Sequence, residues 1–307
     1  MISYAQNHED VLLARALSDT ATGFYIDVGA YDPTFDSVTR HFYDLGWHGI
    51  NVEPQPSYAA KLREDRPRDI TLEVALSDYR GTATMYDLSV GDGVATIDAA
   101  QARRFTDEYE ITGETPVQVT TLADVCAQHC DPSVPISFLK VDVEGHERAV
   151  LAGADWVRWR PRIVVVEATE PLTTRASHEP WEPLLLDAGY ALALFDGLNR
   201  WYAGRDEPRL IDLLRVPVNI LDYYEPYAWS KRVALLEAQV TSLMTAAAEA
   251  SADAARQALI LSYESLQERF RRLDSELDRE RFQRRIEAKQ LARLTEELLL
   301  LHNSAGA

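Results

Sequence analysis

The sequence predicts an α/β protein: a doubly wound, mostly parallel sheet flanked by helices, continued by a long C-terminal helical coiled coil. Three observations predict it. Short apolar runs such as RIVVVEA alternate with helix-like segments, as in a sheet buried on both faces. Several of these runs end in a carboxylate beside glycine or proline. After residue 228 the pattern changes to apolar positions spaced 4-3-4-3 without proline, and with glycine only at position 306.

Strands are expected at residues 24–28, 49–52, 70–75, 82–86, 117–120, 136–141, 163–167 and 190–195. Helices are expected at 35–45, 57–63, 122–128, 147–151 and 181–187. Strand–helix–strand repetition implies right-handed crossovers. Residues 200–203 and 211–216 read as added antiparallel strands. Two domains follow: residues 1–228 and residues 229–307. In the second, Leu266, Phe270, Leu273, Leu277, Leu291, Leu294, Leu298 and Leu301 keep the heptad spacing, with Glu280, Arg284 and Glu287 forming a polar stretch of the seam. Leu236, Val240, Leu243, Ala247, Ala250 and Ala254 keep it in another phase. A homo-oligomer joined through this segment is expected.

Charge narrows the partners. Residues 229–307 hold 12 basic and 12 acidic side chains, so residues 1–228 carry the whole net charge of −18. Nucleic acid is not an expected partner, because its phosphates need clustered Lys and Arg. No apolar run is long enough to span a bilayer. The start, MISYAQNHEDVLL, lacks the basic and apolar regions of a secretory signal, so a cytoplasmic protein is expected. Cys126 and Cys130 lack a second ligand pair with zinc spacing and read as packed thiols.

Four segments carry chemistry. In FYIDVGAYDP, a strand ends at Asp27 and Val28, and Gly29 lets a ligand approach the backbone. The full G-x-G-x-x-G is missing, which disfavours a dinucleotide oxidoreductase. In GINVEPQP, Glu53 tips the next strand, placed to accept two ribose hydroxyls; the alternative is a surface glutamate before a proline turn. In VALSDYRG, Ser77 and Asp78 are placed either for an adenine amine or for a hairpin turn. In ISFLKVDVEGHE, Asp142, Glu144 and His146 crowd the end of an inner strand that Lys140 interrupts. Each is a candidate base for a hydroxyl proton. Alternatively, Asp142 and Glu144 with Glu167 hold a divalent cation. Residues 90–112 are long for a connection and are expected to form a lid.

Taken in order, SYAQNHEDVLL, FYIDVGAYDP, GINVEPQP with VALSD, and FLKVDVEGHE resemble the FkbM family of methyltransferases across residues 1–228. The resemblance implies a Rossmann-like class I methyltransferase with a seven-stranded sheet whose last strand is antiparallel. It implies S-adenosylmethionine as donor and an oxygen acceptor, often a hydroxyl of a sugar, glycan or glycosylated metabolite. By position, Asp27, Gly29 and Tyr31 would line the methionine end of the donor, Glu53 and Pro54 its ribose and adenine, and Ser77 and Asp78 the adenine edge. Asp142 and Glu144 would face the acceptor with His146 nearby, and Gln6, Glu9 and Asp10 would form a cap. Residues 229–307 lie outside the family pattern. The competing expectation is a non-catalytic scaffold: a decayed methyltransferase domain that presents the coiled coil to partners.

Overall fold

Seven strands build the central sheet of the unit Tyr4–Val218. In chain order they are β1 (Phe24–Val28), β2 (His48–Val52), β3 (Ile70–Leu72), β4 (Ile136–Val141), β5 (Ile163–Glu167), β6 (Tyr190–Phe195) and β7 (Asn199–Gly204). Their spatial order is β6-β7-β5-β4-β1-β2-β3. The chain thus winds outward from β1 through β2 to β3, then restarts beside β1 with β4 and proceeds the other way. This computed structural model describes residues 1–88, 95–97, 111–170, 173–249 and 268.

Alternation within each strand divides the core into two layers. Ile26, Val28, Leu139, Val141, Val164 and Val166 face helices Leu122–His129, Glu147–Ala152 and Glu182–Asp187. Tyr25, Phe138, Ile163 and Val165 face helices Glu9–Ala16, Arg40–Asp44 and Pro208–Leu214. Local chemistry starts these helices. The Thr121 hydroxyl caps the first by accepting the Asp124 N–H at 3.1 Å, and Pro56 occupies the first turn of Pro56–Asp65.

The expectation of a mostly parallel sheet is corrected: the sheet is mixed, with β7 antiparallel to both β5 and β6. The cause is a hairpin. Asp196 Oδ1 accepts the N–H groups of Leu198 and Asn199 at 2.9 and 2.7 Å, and so tight a turn can join only antiparallel strands. The strands expected at 82–86 and 117–120 also leave the main sheet. Ala75–Leu76, Ile111–Thr120, Gly81–Leu88 and Ala95–Thr96 form a second, four-stranded sheet in that order. The expected strand 70–75 is divided between the two sheets. The expected strand 211–216 falls largely in the helix Pro208–Leu214, where Leu210 and Leu214, one turn apart, are both buried. Of the helix expected at 35–45, only Arg40–Asp44 forms.

The other unit comprises Met1–Ser3 and Asn219–Ala307. Ile2–Ser3 pairs in parallel with Glu225–Pro226, and a helix spans Tyr227–Glu249. Leu236, Val240, Leu243 and Ala247 fall on that helix, whereas the heptad positions from Ala250 to Leu301 lie outside the described residues. Among the described residues no helix is long and apolar enough to cross a membrane.

Candidate functional site

A sheet whose winding reverses beside β1 leaves a crevice at the carboxyl ends of β1 and β4. The two turns there are in contact. The Asp142 N–H bonds to Val28 O at 3.0 Å and the Gly29 N–H to Val52 O at 3.0 Å. Gly29 has φ +79°, and a Cβ at this position would lie 1.8 Å from Asp142 O; no other residue fits. A cavity of about 180 Å³ opens over these turns, reaching across β2 to Ala75, Leu76, Met85 and Ala95 of the second sheet and to Ile97 just beyond it.

Glu53 extends from the tip of β2 into this crevice. Its Oε2 accepts the Tyr31 N–H at 2.9 Å and its Oε1 the Gln55 N–H at 2.8 Å. Burial raises its carboxyl to about 7 even though both backbone bonds favour the ionised form. Tyr31 stands at φ 51°, its ring 4.4 Å from that of Tyr58. Asp36 and Glu144, also non-glycine, both have φ 53° and line the cavity. Left-handed backbone at three such residues is costly, and it persists where surrounding structure imposes it.

Beneath lies a buried polar network. Asp27, on β1, does not line the cavity as the resemblance implied; its carboxylate is buried and accepts the Thr39 hydroxyl at 3.0 Å. The Thr39 oxygen in turn accepts Arg66 Nη1 at 2.6 Å, and the fully buried Arg66 also donates to Ser37 Oγ at 2.6 Å and to the Pro33 carbonyl. Burial pushes the Asp27 carboxyl up, against the pull of Lys140 and Arg66. Lys140 is the cation of the site. Burial lowers its ammonium, but Asp142, Asp27 and Glu9 outweigh burial and the net direction is up.

Four carboxyl groups gather where β4 and β5 end. Glu147, on the first helical turn after β4, folds back so that Oε1 accepts the Gly145 and Val143 N–H groups at 3.0 and 3.2 Å. Burial raises it to about 7. Burial, then Asp142 and Glu147, raises Glu144 to about 8. Burial, then Asp142, Glu144 and Glu147, raises Glu167 to about 11. The direction favours the protonated form of Glu167. The grouping of Asp142, Glu144 and Glu167 around a divalent cation is not supported: among the described residues no set of three or more His, Cys, Asp or Glu is arranged to hold a metal ion.

Gln6, Glu9, Gly29, Tyr31, Glu53, Pro54, Asp142, Glu144 and His146 all line the cavity. Glu9 is anchored by Asn199 Nδ2 at 2.7 Å and by the Asn7 N–H at 2.9 Å, and burial followed by Asp196 raises it to about 7. Asp10 instead accepts the Tyr4 N–H at 2.7 Å, away from the cavity lining. Ser77 and Asp78 do not line it either; Ser77 is buried with Oγ 3.0 Å from His146 Nε2, and Asp78 is exposed. The sequence reading missed Lys140 and Asp36 as lining residues, along with the apolar wall from the second sheet. The charged Lys140 inside an apolar strand was the available signal. Ala95 and Ile97, from the expected lid, line the cavity, while most of residues 90–112 lie outside the described residues.

Among solved structures, the chain is similar to a TehB-like SAM-dependent methyltransferase from Corynebacterium glutamicum, with a TM-score of 0.35 and 9% identity, covering 64% of this chain and 88% of that one. No curated protein matches the chain. The family model for the methyltransferase FkbM domain matches residues 27–192. That span starts in β1, contains both turns of the crevice and ends in β6, and the chain accordingly belongs to the FkbM methyltransferase domain family.

Proposed function

We propose that the chain is an S-adenosylmethionine-dependent O-methyltransferase acting on a hydroxyl of a sugar, glycan or glycosylated metabolite. Family membership supports methyl transfer with this donor. The observation that carries the donor assignment is Glu53 at the tip of β2, lining the cavity across from a turn where only Gly29 fits. A carboxylate there suits a ribose diol, and a bare glycine suits close backbone approach. Carboxylates lining the cleft favour a ligand carrying positive charge.

When bound, the donor supplies an electrophilic methyl group. The chain's own residues do the rest. Glu53 grips the nucleoside, with Pro54 beside the base, and Gln6, Glu9, Gly29 and Tyr31 enclose the amino-acid end. Asp142, Glu144 and His146 are the candidates to hold or remove the acceptor's hydroxyl proton as the oxygen–methyl bond forms. Of these, Glu144, raised to about 8, is near the working pH that proton transfer needs. His146 is the weaker candidate, since its Nε2 faces Ser77.

Calorimetric titration with S-adenosylmethionine, and transfer assays that read S-adenosylhomocysteine with a panel of glycosides, test the reading. Binding lost in Glu53→Ala, with turnover of at least one glycoside, is the expected result. No binding at millimolar donor, or binding unaffected by Glu53→Ala, would overturn it.

A further inference from the structure

Lys140 has no part in the reading of donor and acceptor, yet it is the only Lys or Arg among the described residues that line the cavity. It lies on β4 in register with Asp27 on β1 and is only 8% exposed. An ammonium so placed is costly unless its N–H groups find acceptors. The acceptors come from three places. Nζ lies 3.2 Å from Gly29 O, 3.3 Å from Asp142 Oδ2 and 3.7 Å from Asp27 Oδ1. A methionine would fill similar volume inside the strand without that desolvation, so packing alone does not call for lysine.

Backbone bonds already tie these turns to neighbouring strands, the Asp142 N–H to Val28 O on β1 and the Gly29 N–H to Val52 O on β2. Those bonds set the backbone spacing, but they restrain neither the direction of the Gly29 carbonyl nor the rotamer of Asp142. The ammonium touches both. We propose that Lys140 is a positioning residue, a strut that holds the Gly29 carbonyl and the Asp142 carboxylate at a set separation across the switch-point crevice. Its effect on affinity rests on the donor reading above; its effect on the two turns does not.

The test uses the full chain as wild type and as Lys140→Met, followed by hydrogen–deuterium exchange without ligand and by calorimetry with S-adenosylhomocysteine. Peptides covering residues 29–33 and 142–146 are expected to exchange about tenfold faster in the variant, with β5 unchanged. Product affinity is expected to weaken about tenfold, since a small misplacement at a binding turn is felt directly. Lys140→Gln keeps an N–H donor and is the second variant should the first not fold; it is expected to show the same local pattern at smaller amplitude. Unaltered exchange in both turns of a folded variant overturns the proposal, as does equal acceleration across the whole sheet, which would mark a purely structural residue. Wild type that fails to bind the product while the exchange pattern appears as expected overturns the donor reading and leaves the strut standing.

Discussion

The Glu53 carboxylate accepts the Tyr31 backbone N–H at 2.9 Å, so the tip of β2 and the turn after β1 are tied by one side chain. Replacing Glu53 by alanine removes both the ribose acceptor and this tie. Donor affinity is expected to fall about 10- to 100-fold, the range for losing a charge-assisted hydrogen bond. Glu53→Gln should fall between, because its amide oxygen can still accept. Calorimetry of both variants checks the order.

Gly29→Ala places a methyl group against Asp142 O and forces an L-residue to φ +79°. The strain and the overlap together should cost roughly 2–4 kcal/mol of stability. Urea denaturation measures it. A variant as stable as wild type would mean that the two turns separate easily.

Stability should fall as the pH rises from 6.5 to 8. Burial raises Glu9, Glu53 and Glu147 to about 7 and Glu144 to about 8, against 4.5 for the free side chain. Protonated, each favours the folded state; that contribution is full below pH 4.5 and is lost as the pH rises through 7 to 8. The half-buried imidazoles of His41 and His178, lowered from 6.5 chiefly by partial burial, act oppositely only below pH 6.5. A decline of about 1–3 kcal/mol over the upper interval is expected, flattened in Glu144→Gln. Donor affinity should move the other way, strengthening as these groups ionise. Denaturation midpoints at constant ionic strength decide the matter, and a level profile would contradict it.

Arg66→Met removes a fully buried guanidinium that holds Pro33, Ser37 and Thr39. A loss of roughly 3 kcal/mol is expected from the stranded acceptors. Donor affinity should drop as well, because the same segment carries Asp36 and Val38, which line the cavity. Unchanged affinity in a destabilised variant would confine Arg66 to folding.

Deleting residues 229–307 is expected to lower the oligomeric state without abolishing donor binding, on the strength of the heptad spacing in that segment. Light scattering giving one protomer mass for both forms would count against it.

Much of this architecture was legible in the chain. Runs such as IVVVE and ISFLKV announce strands buried on both faces, and six of the seven sheet strands fall within a residue of the expected limits at both ends. Gly29, Glu53, Asp142 and Glu144, which turn chemistry singles out, all line the one cavity. The segment IDLLRV misled because a short apolar run satisfies both periods, and helix packing of Leu210 and Leu214 decided it. Asp27 and Ser77 misled because a carboxylate or hydroxyl at a strand end reads the same whether it points into a crevice or beneath it.

The amino-acid order alone determined the alternating class of the fold, the strand tips where function would concentrate and the acidity of residues 1–228. Periodicity and turn chemistry are written over a few neighbouring residues, so they can be read locally. Only the tertiary structure decided that Asp27 is buried under Lys140, that burial and the neighbouring carboxyl groups push the Glu167 carboxyl up, and that a second sheet walls the cavity. Those outcomes depend on which distant strands become neighbours and on how much water that leaves around each charge.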